Sequence, residues 1–539
     1  MLFLLDYGAG NVTSLANSLR QLGHDFRWID APADFAGATS LVFPGVGAFE
    51  SAIQQLSKRG LLEPLREYIR SGKPYFGICI GMQVLFQSSD ESPSLGLGII
   101  PCPIERFSDH DKAVPHIGWN SAELLDSSAP ASYYFVHSYC AKYNPEKYPE
   151  AAKWAHATTQ YGQELFVSAI RKGNVFATQF HPEKSGAAGL ALLDKWLRSP
   201  DVGPSPDPTI PRVVRTPSPK DGLTKRIIAC MDVRANDAGD LVVTKGDQYD
   251  VREKDPSAAV AIAGAVRNLG KPVALAERYY AAGADELCLL NITSFRHSPL
   301  HDQPMLAVVR AAAERIFVPL TIGGGIRDTV DPDGTARSAL EVASAYFRAG
   351  SDKVSIGSDA VYAVEKLRAR GGALDGTSAI ETIAHAYGRQ AVVVSIDPRR
   401  VAVEADYTGP YADEVIRGAD GTAWWYQCTV SGGRESRPLS VVQLAQGVEA
   451  LGAGEILLNS IDRDGTGLGF DLDLLKLVKR SVRIPVVASS GAGKAAHFVE
   501  AFAETDVEAA LAAGIFHRDE VAIGEVKEAL RAAGINARR

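Results

Sequence analysis

The chain has 539 residues, too many for one hydrophobic core, and so holds two or more domains. Its 46% apolar and 22% charged residues are ordinary for a globular protein. A formal charge of -8 argues against general nucleic-acid binding, which usually needs a basic face, but not against a local pocket for a small anion.

The cysteines (Cys79, Cys102, Cys140, Cys230, Cys288 and Cys428) show no CxxC spacing, which suits reduced thiols better than a disulfide framework. The apolar N-terminus reaches Asp6 too soon for a signal segment, and no stretch of eighteen apolar residues occurs. A soluble, cytoplasmic protein is expected.

In chain order, β-rich runs at 2–5, 40–43, 74–78, 133–137 and 175–180 alternate with helical patterns such as 12–22. This predicts an α/β sheet, at least partly parallel. Gly77-Ile78-Cys79-Ile80-Gly81 has the form of a nucleophile elbow, a strand-to-helix turn whose glycines permit strain while the central side chain stands at the sheet edge. Phe180-His181-Pro182-Glu183-Lys184-Ser185 follows about a hundred residues later. His181 is the natural base for Cys79, and Glu183 can fix the imidazole tautomer, as the acid of a triad does. Taken singly, Cys79 also reads as a buried core cysteine and His181-Pro182 as a loop. Their joint occurrence favours catalysis.

From 199 to 224 the chain is Pro-rich and lacks hydrophobic periodicity, an extended linker between domains at 1–198 and 225–539. The second domain is long enough for a (β/α)8 TIM barrel with insertions. Strand candidates fall at 226–232, 286–291, 319–322, 353–356, 391–397, 455–461, 485–489 and 509–512, each followed by helical sequence. The barrel repeats itself. Stretches around Glu286 and Glu455, around Val318 and Ile484, and at Asp232 and Asp397 recur at nearly equal offsets, which implies a two-fold half-barrel repeat. Segments 329–337, 369–376 and 405–437 collect Gly, Asp and charged residues and are expected to be loops or small excursions.

Asp232 and Asp397 each end a predicted strand at matching positions of the two halves, and C-terminal strand ends carry catalysis in this fold. Two carboxylates across the barrel mouth can serve as acid and base. Helix capping or pairing with a lysine is the plainer fate for such residues. The glycines ending at Gly325 and the turn Ser489-Ser490-Gly491 are symmetry mates after strands, each suited to offering backbone N–H groups to a phosphate. Asp464, Gly465, Ala513 and Gly514 would complete one site, and Ser358 the other. Two matched sites imply a substrate with a phosphate at both ends.

On the elbow and the 180–185 motif, residues 1–198 resemble class I glutamine amidotransferases. Pro44-Gly45-Val46-Gly47-Ala48-Phe49 and His116-Ile117-Gly118-Trp119-Asn120 narrow the resemblance to the glutaminase of imidazole glycerol phosphate synthases. Residues from 225 to about 538 resemble the cyclase barrel of the same family, and the fusion in this order is similar to its bifunctional fungal and plant members.

The resemblance implies oxyanion-hole amides at Val46 and Ile80, a substrate contact at Lys245, and an ammonia gate of Arg226, Glu286, Lys353 and Glu455. A structural salt-bridge layer is the alternative for those four. It further implies hydrolysis of glutamine and use of the ammonia on a phosphorylated ribulosyl nucleotide. The products would be imidazole glycerol phosphate and aminoimidazole carboxamide ribonucleotide. No metal or organic cofactor is implied, no nucleic-acid or membrane partner, and a monomer with an intramolecular domain–domain interface is expected. Asn291 and Gly357 depart from the Asp and Asn of bacterial cyclases. Two rival readings are a glutaminase-coupled pyridoxal phosphate synthase, using Lys245 or Lys353 for Schiff bases, and a catalytically dead scaffold binding phosphorylated metabolites.

Overall fold

The computed structural model describes residues 1–8, 10–45, 47–124, 131–200, 216–235, 241–244, 272–292, 303–331 and 333–539. The chain divides into two units, Met1–Thr224 with Ala384–Gln390, and Lys225–Ile383 with Ala391–Arg539. Among the described residues no helix is long and apolar enough to cross a membrane.

The first unit is built on a nine-stranded mixed sheet. Phe26–Ile29, Leu2–Leu5, Ser40–Phe43, Tyr75–Ile78 and Val175–Thr178 run parallel in that spatial order. Glu164–Lys172, Ala155–Tyr161, His116–Leu124 and Ala131–His137 extend it antiparallel. The central strands are short, mostly apolar and almost wholly buried, as expected where both faces of a sheet are covered. Helix Thr13–Gln21 buries Leu15 and Leu19 on one face against Leu4, Val42 and Phe76. Its start is fixed by Asn11, whose Oδ1 accepts from the Ser14 amide at 3.0 Å. Residues 216–224, expected as part of an extended linker, are bound to this unit: Ser218 N donates to Gln160 Oε1 and Gly162 N to Asp221 Oδ2, both at 2.8 Å.

The second unit is a closed barrel of eight parallel strands, here β1 (Arg226–Ala235), β2 (Glu286–Asn291), β3 (Leu320–Gly323), β4 (Lys353–Ile356), β5 (Val392–Ile396), β6 (Glu455–Asn459), β7 (Val486–Ser489) and β8 (Ala509–Ala512). Pairing of β1 with β8 closes it. Alternation along a strand sorts the side chains. On β1, residues 226, 228, 230 and 232 share a face. Ile228 and Cys230 on that face pack with Cys288, Val393, Leu457 and Val487 in one buried interior cluster. The same alternation sets 286 with 288, 393 with 395 and 397, and 455 with 457 and 459.

One expectation needs correction. Asp232 does not end its strand: β1 runs on to Ala235, and its extension pairs antiparallel with Leu241–Thr244, Asp232 opposite Thr244. Asp232 still lies at the C-terminal level of the barrel, because its register partner Leu290 is next to the last residue of β2. Of the segments expected to be loops or small excursions, 405–437 belongs to an ordered excursion. Pro398–Val403, Ile416–Arg417, Ala423–Val430 and Glu435–Ser440 form an antiparallel sheet with its own apolar cluster of Val415, Ala423 and Trp425. The aromatic and β-branched residues of Ala423–Val430 outweigh the glycines and charges around it.

Candidate active sites

In the first unit, strand Tyr75–Ile78 ends at Cys79, which takes the left-handed φ of 48° before the short helix Ile80–Gln83. Such a backbone is costly for a residue with a Cβ and persists only where its surroundings enforce it. Here they do. Cys79 N donates to Thr178 O at 2.7 Å and Tyr75 Oη to Gly81 O at 2.5 Å. A Cβ on Gly81 would come 2.5 Å from Phe43 O. One on Gly45 would come 1.7 Å from Ile78 O and 2.7 Å from the Cys79 Cβ. The absence of a side chain at Gly45 thus lets its backbone press directly on the elbow. Val46 lies outside the described residues; Ile80 opens the helix beside the sulfur.

His181 reaches the elbow from the end of the neighbouring strand Val175–Thr178. Its loop is pinned to Ala131–His137: His181 N donates to Tyr134 O at 2.9 Å, and Ser185 Oγ donates to His181 O at 2.6 Å while accepting from Tyr134 N at 2.9 Å. His181 Nδ1 donates to Glu183 Oε1 at 2.8 Å, which leaves Nε2 for its hydrogen bond with Cys79. Burial alone would lower the basicity of this imidazole. The Glu183 charge, the Cys79 sulfur and hydrogen bonds to both instead hold it well above the ordinary range. Cys79, His181 and Glu183 are therefore joined in one buried hydrogen-bonded chain.

A second set of contacts was not expected from the sequence. Gln179 Nε2 lies 3.4 Å from Cys79 Sγ, and Gln83 Nε2 lies 3.0 Å from both Gln179 Oε1 and Tyr139 O. The position of Gln179, two residues before the histidine, was the available signal.

In the barrel, Asp397 directly follows β5, and its Oδ1 accepts from Asn459 Nδ2 at 2.7 Å. Thr429 Oγ1, from the inserted sheet, donates to Asp397 O at 2.6 Å. Neither contact was foreseen, because each depends on which strands become neighbours. Arg400 ties the same sheet to Asp471 at 2.8 Å, and Tyr426 Oη donates to that carboxylate at 2.9 Å.

The phosphate candidates fall in two groups by strand order. Gly325 follows β3, and Ser358 opens helix Ser358–Ala369 after β4. Ser358 Oγ accepts from the Ser431 amide at 2.9 Å. Asp464 and Gly465 follow β6, Ser490 and Gly491 follow β7, and Ala513 and Gly514 follow β8. The loops after β6 and β7 interlock: Gly469 N donates to Gly491 O at 2.8 Å, and a Cβ on Gly491 would meet Gly469 O at 2.2 Å. Asn291 ends β2 and Gly357 precedes the helix at Ser358. Lys245 lies outside the described residues.

At the opposite end, Arg226, Glu286, Lys353 and Glu455 are all buried and close a ring. Arg226 Nη1 donates to Glu286 Oε2 at 2.7 Å, and Nη2 donates to Glu455 Oε1. Lys353 Nζ is 2.6 Å from Glu286 Oε1 and 2.6 Å from Glu455 Oε2. Burial would raise the Glu455 carboxyl, but Arg226 and Lys353 hold it below the ordinary carboxylate range. Each cation spans both carboxylates, so the ring is neutral and mutually paired.

Residues 3–198 match the family model described as glutamine amidotransferase class-I, and residues 226–522 match that described as histidine biosynthesis protein. The imidazole glycerol phosphate synthase hisHF of Emericella nidulans is 54% identical over 99% of this chain and 98% of its own length. That of Schizosaccharomyces pombe is 54% identical over 98% of each. The chloroplastic enzyme of Arabidopsis thaliana is 52% identical over 99% of this chain and 89% of its own.

Proposed function

This chain belongs to the imidazole glycerol phosphate synthase family, and we propose that it releases ammonia from glutamine at Cys79 and consumes it between Asp232 and Asp397. The observation that carries the first half is the linked trio of Cys79, His181 and Glu183, with Nδ1 committed to Glu183 at 2.8 Å. The Cys79 sulfur attacks the glutamine carboxamide carbon, and amides near Val46 and Ile80 stabilise the resulting oxyanion. The C–N bond breaks, and ammonia leaves with a proton from His181. A water then gives a proton to His181 and attacks the thioester, so that glutamate departs and the thiol is restored.

Ammonia next enters the barrel past Arg226, Glu286, Lys353 and Glu455. The phosphorylated ribulosyl nucleotide is held there by its two phosphates, one at Gly325 and Ser358, the other at Asp464, Gly465, Ser490, Gly491, Ala513 and Gly514, with Lys245 also touching substrate. Asp232 and Asp397 move the protons as imidazole glycerol phosphate and the aminoimidazole carboxamide ribonucleotide form. Support for this half is the inward face that Asp232 and Asp397 share with the interior cluster. The test is Cys79→Ala. Product formation from glutamine should vanish, while formation from added ammonium salt persists near the wild-type rate; equal loss of both would refute separate sites.

A further inference from the structure

Gln179 is fully buried beside the nucleophile, and its backbone is fixed by donation from Gln179 N to Ser168 O at 2.8 Å. The direction of its side-chain amide follows from its neighbours. Tyr139 O is a backbone carbonyl and can only accept, so the Gln83 atom 3.0 Å from it must be nitrogen. That same nitrogen lies 3.0 Å from Gln179, which must therefore present its oxygen. The Gln179 NH2 group is left facing Cys79 Sγ at 3.4 Å. The sulfur thus has two donors, His181 and Gln179. A neutral thiol accepts such a bond weakly, but a sulfur bearing charge accepts it strongly, so the contact gains most when the nucleophile is activated.

We propose that Gln179 is a working part of the glutaminase: its side-chain N–H donates to the Cys79 sulfur, aligning it and favouring its charged form. Gln83 is then a positioning residue that locks the Gln179 amide. The inference rests on the assignment of Cys79 as nucleophile. A purely core-filling Gln179 would affect folding stability alone.

Gln179→Met keeps length and burial but has no donor. Its kcat for glutamine hydrolysis should fall about tenfold with KM changed less than about twofold, the size of a lost hydrogen bond to a charged group. Alkylation of Cys79 by iodoacetamide at fixed pH should slow several-fold, by less than kcat, because a less stabilised thiolate is also more reactive. Ammonia-dependent turnover in the barrel should hold. Gln83→Met, which leaves Gln179 and the sulfur in place, should slow alkylation to a smaller degree and gives the reading should Gln179→Met fail to fold. Unchanged kcat and alkylation in Gln179→Met, with Cys79→Ala inactive, would overturn this inference alone. Full glutaminase activity in Cys79→Ala would instead remove the assignment beneath it.

Discussion

Cys79 sits at φ 48° because every neighbour forbids an easier backbone: Gly45, Gly77 and Gly81 each leave room for a main-chain atom where a Cβ would clash. The strain is local and tied to the one residue whose side chain must stand clear of the sheet. The barrel carboxylates carry no comparable strain; alternation alone turns 232 and 397 inward. Asp232→Asn and Asp397→Asn should each give a folded protein whose ammonia-dependent cyclisation falls by about 10²–10⁴, as for loss of a general acid or base. Near-normal rates in a steady-state assay with ammonium salt would remove the assignment. The convergence of Cys79, His181 and Glu183 was legible in the sequence because a turn type and a short spacing fix where they fall. Gln83, Gln179 and Asn459 were not, since an amide says nothing of its role until the neighbouring strand is known.

At the scale of elements, the period of two along each barrel strand separates two ends with different work. Arg226, Glu286, Lys353 and Glu455 begin β1, β2, β4 and β6, while Asp232 and Asp397 lie toward the other end. The ring is costly to break, because removing one cation strands two buried carboxylates against Lys353 alone. Arg226→Ala should lose about 3–5 kcal/mol of barrel stability in denaturant unfolding. It should also raise the glutamate formed per molecule of product well above one. A ratio that stays at one in a folded variant would make the ring a structural layer and no gate. The eight strands were legible because buried parallel strands read as short apolar runs bounded by polar residues. The sheet inserted after β5 was not. Its glycine and charge content resembles a loop, and only cross-strand pairing, as between Arg399 and Gln427, reveals the ladder.

At the scale of the whole molecule, two chemistries that are wasteful apart are encoded in one chain. A glutaminase running alone would hydrolyse glutamine to no purpose, so its rate should depend on the barrel being filled. Such coupling requires the nucleotide to bind one state of the chain better than another, and binding rather than turnover is then the trigger. The most direct measurement supplies glutamine labelled with ¹⁵N in its amide, together with the ribulosyl nucleotide and an excess of unlabelled ammonium salt at a pH where little free ammonia exists. Glutamate release and the isotope content of the product are followed together. The account predicts that the nucleotide accelerates glutamate release, that glutamate and imidazole glycerol phosphate appear in equal amounts, and that the imidazole ring carries the ¹⁵N label. Glutamate release indifferent to the nucleotide, with product bearing unlabelled nitrogen, would contradict it.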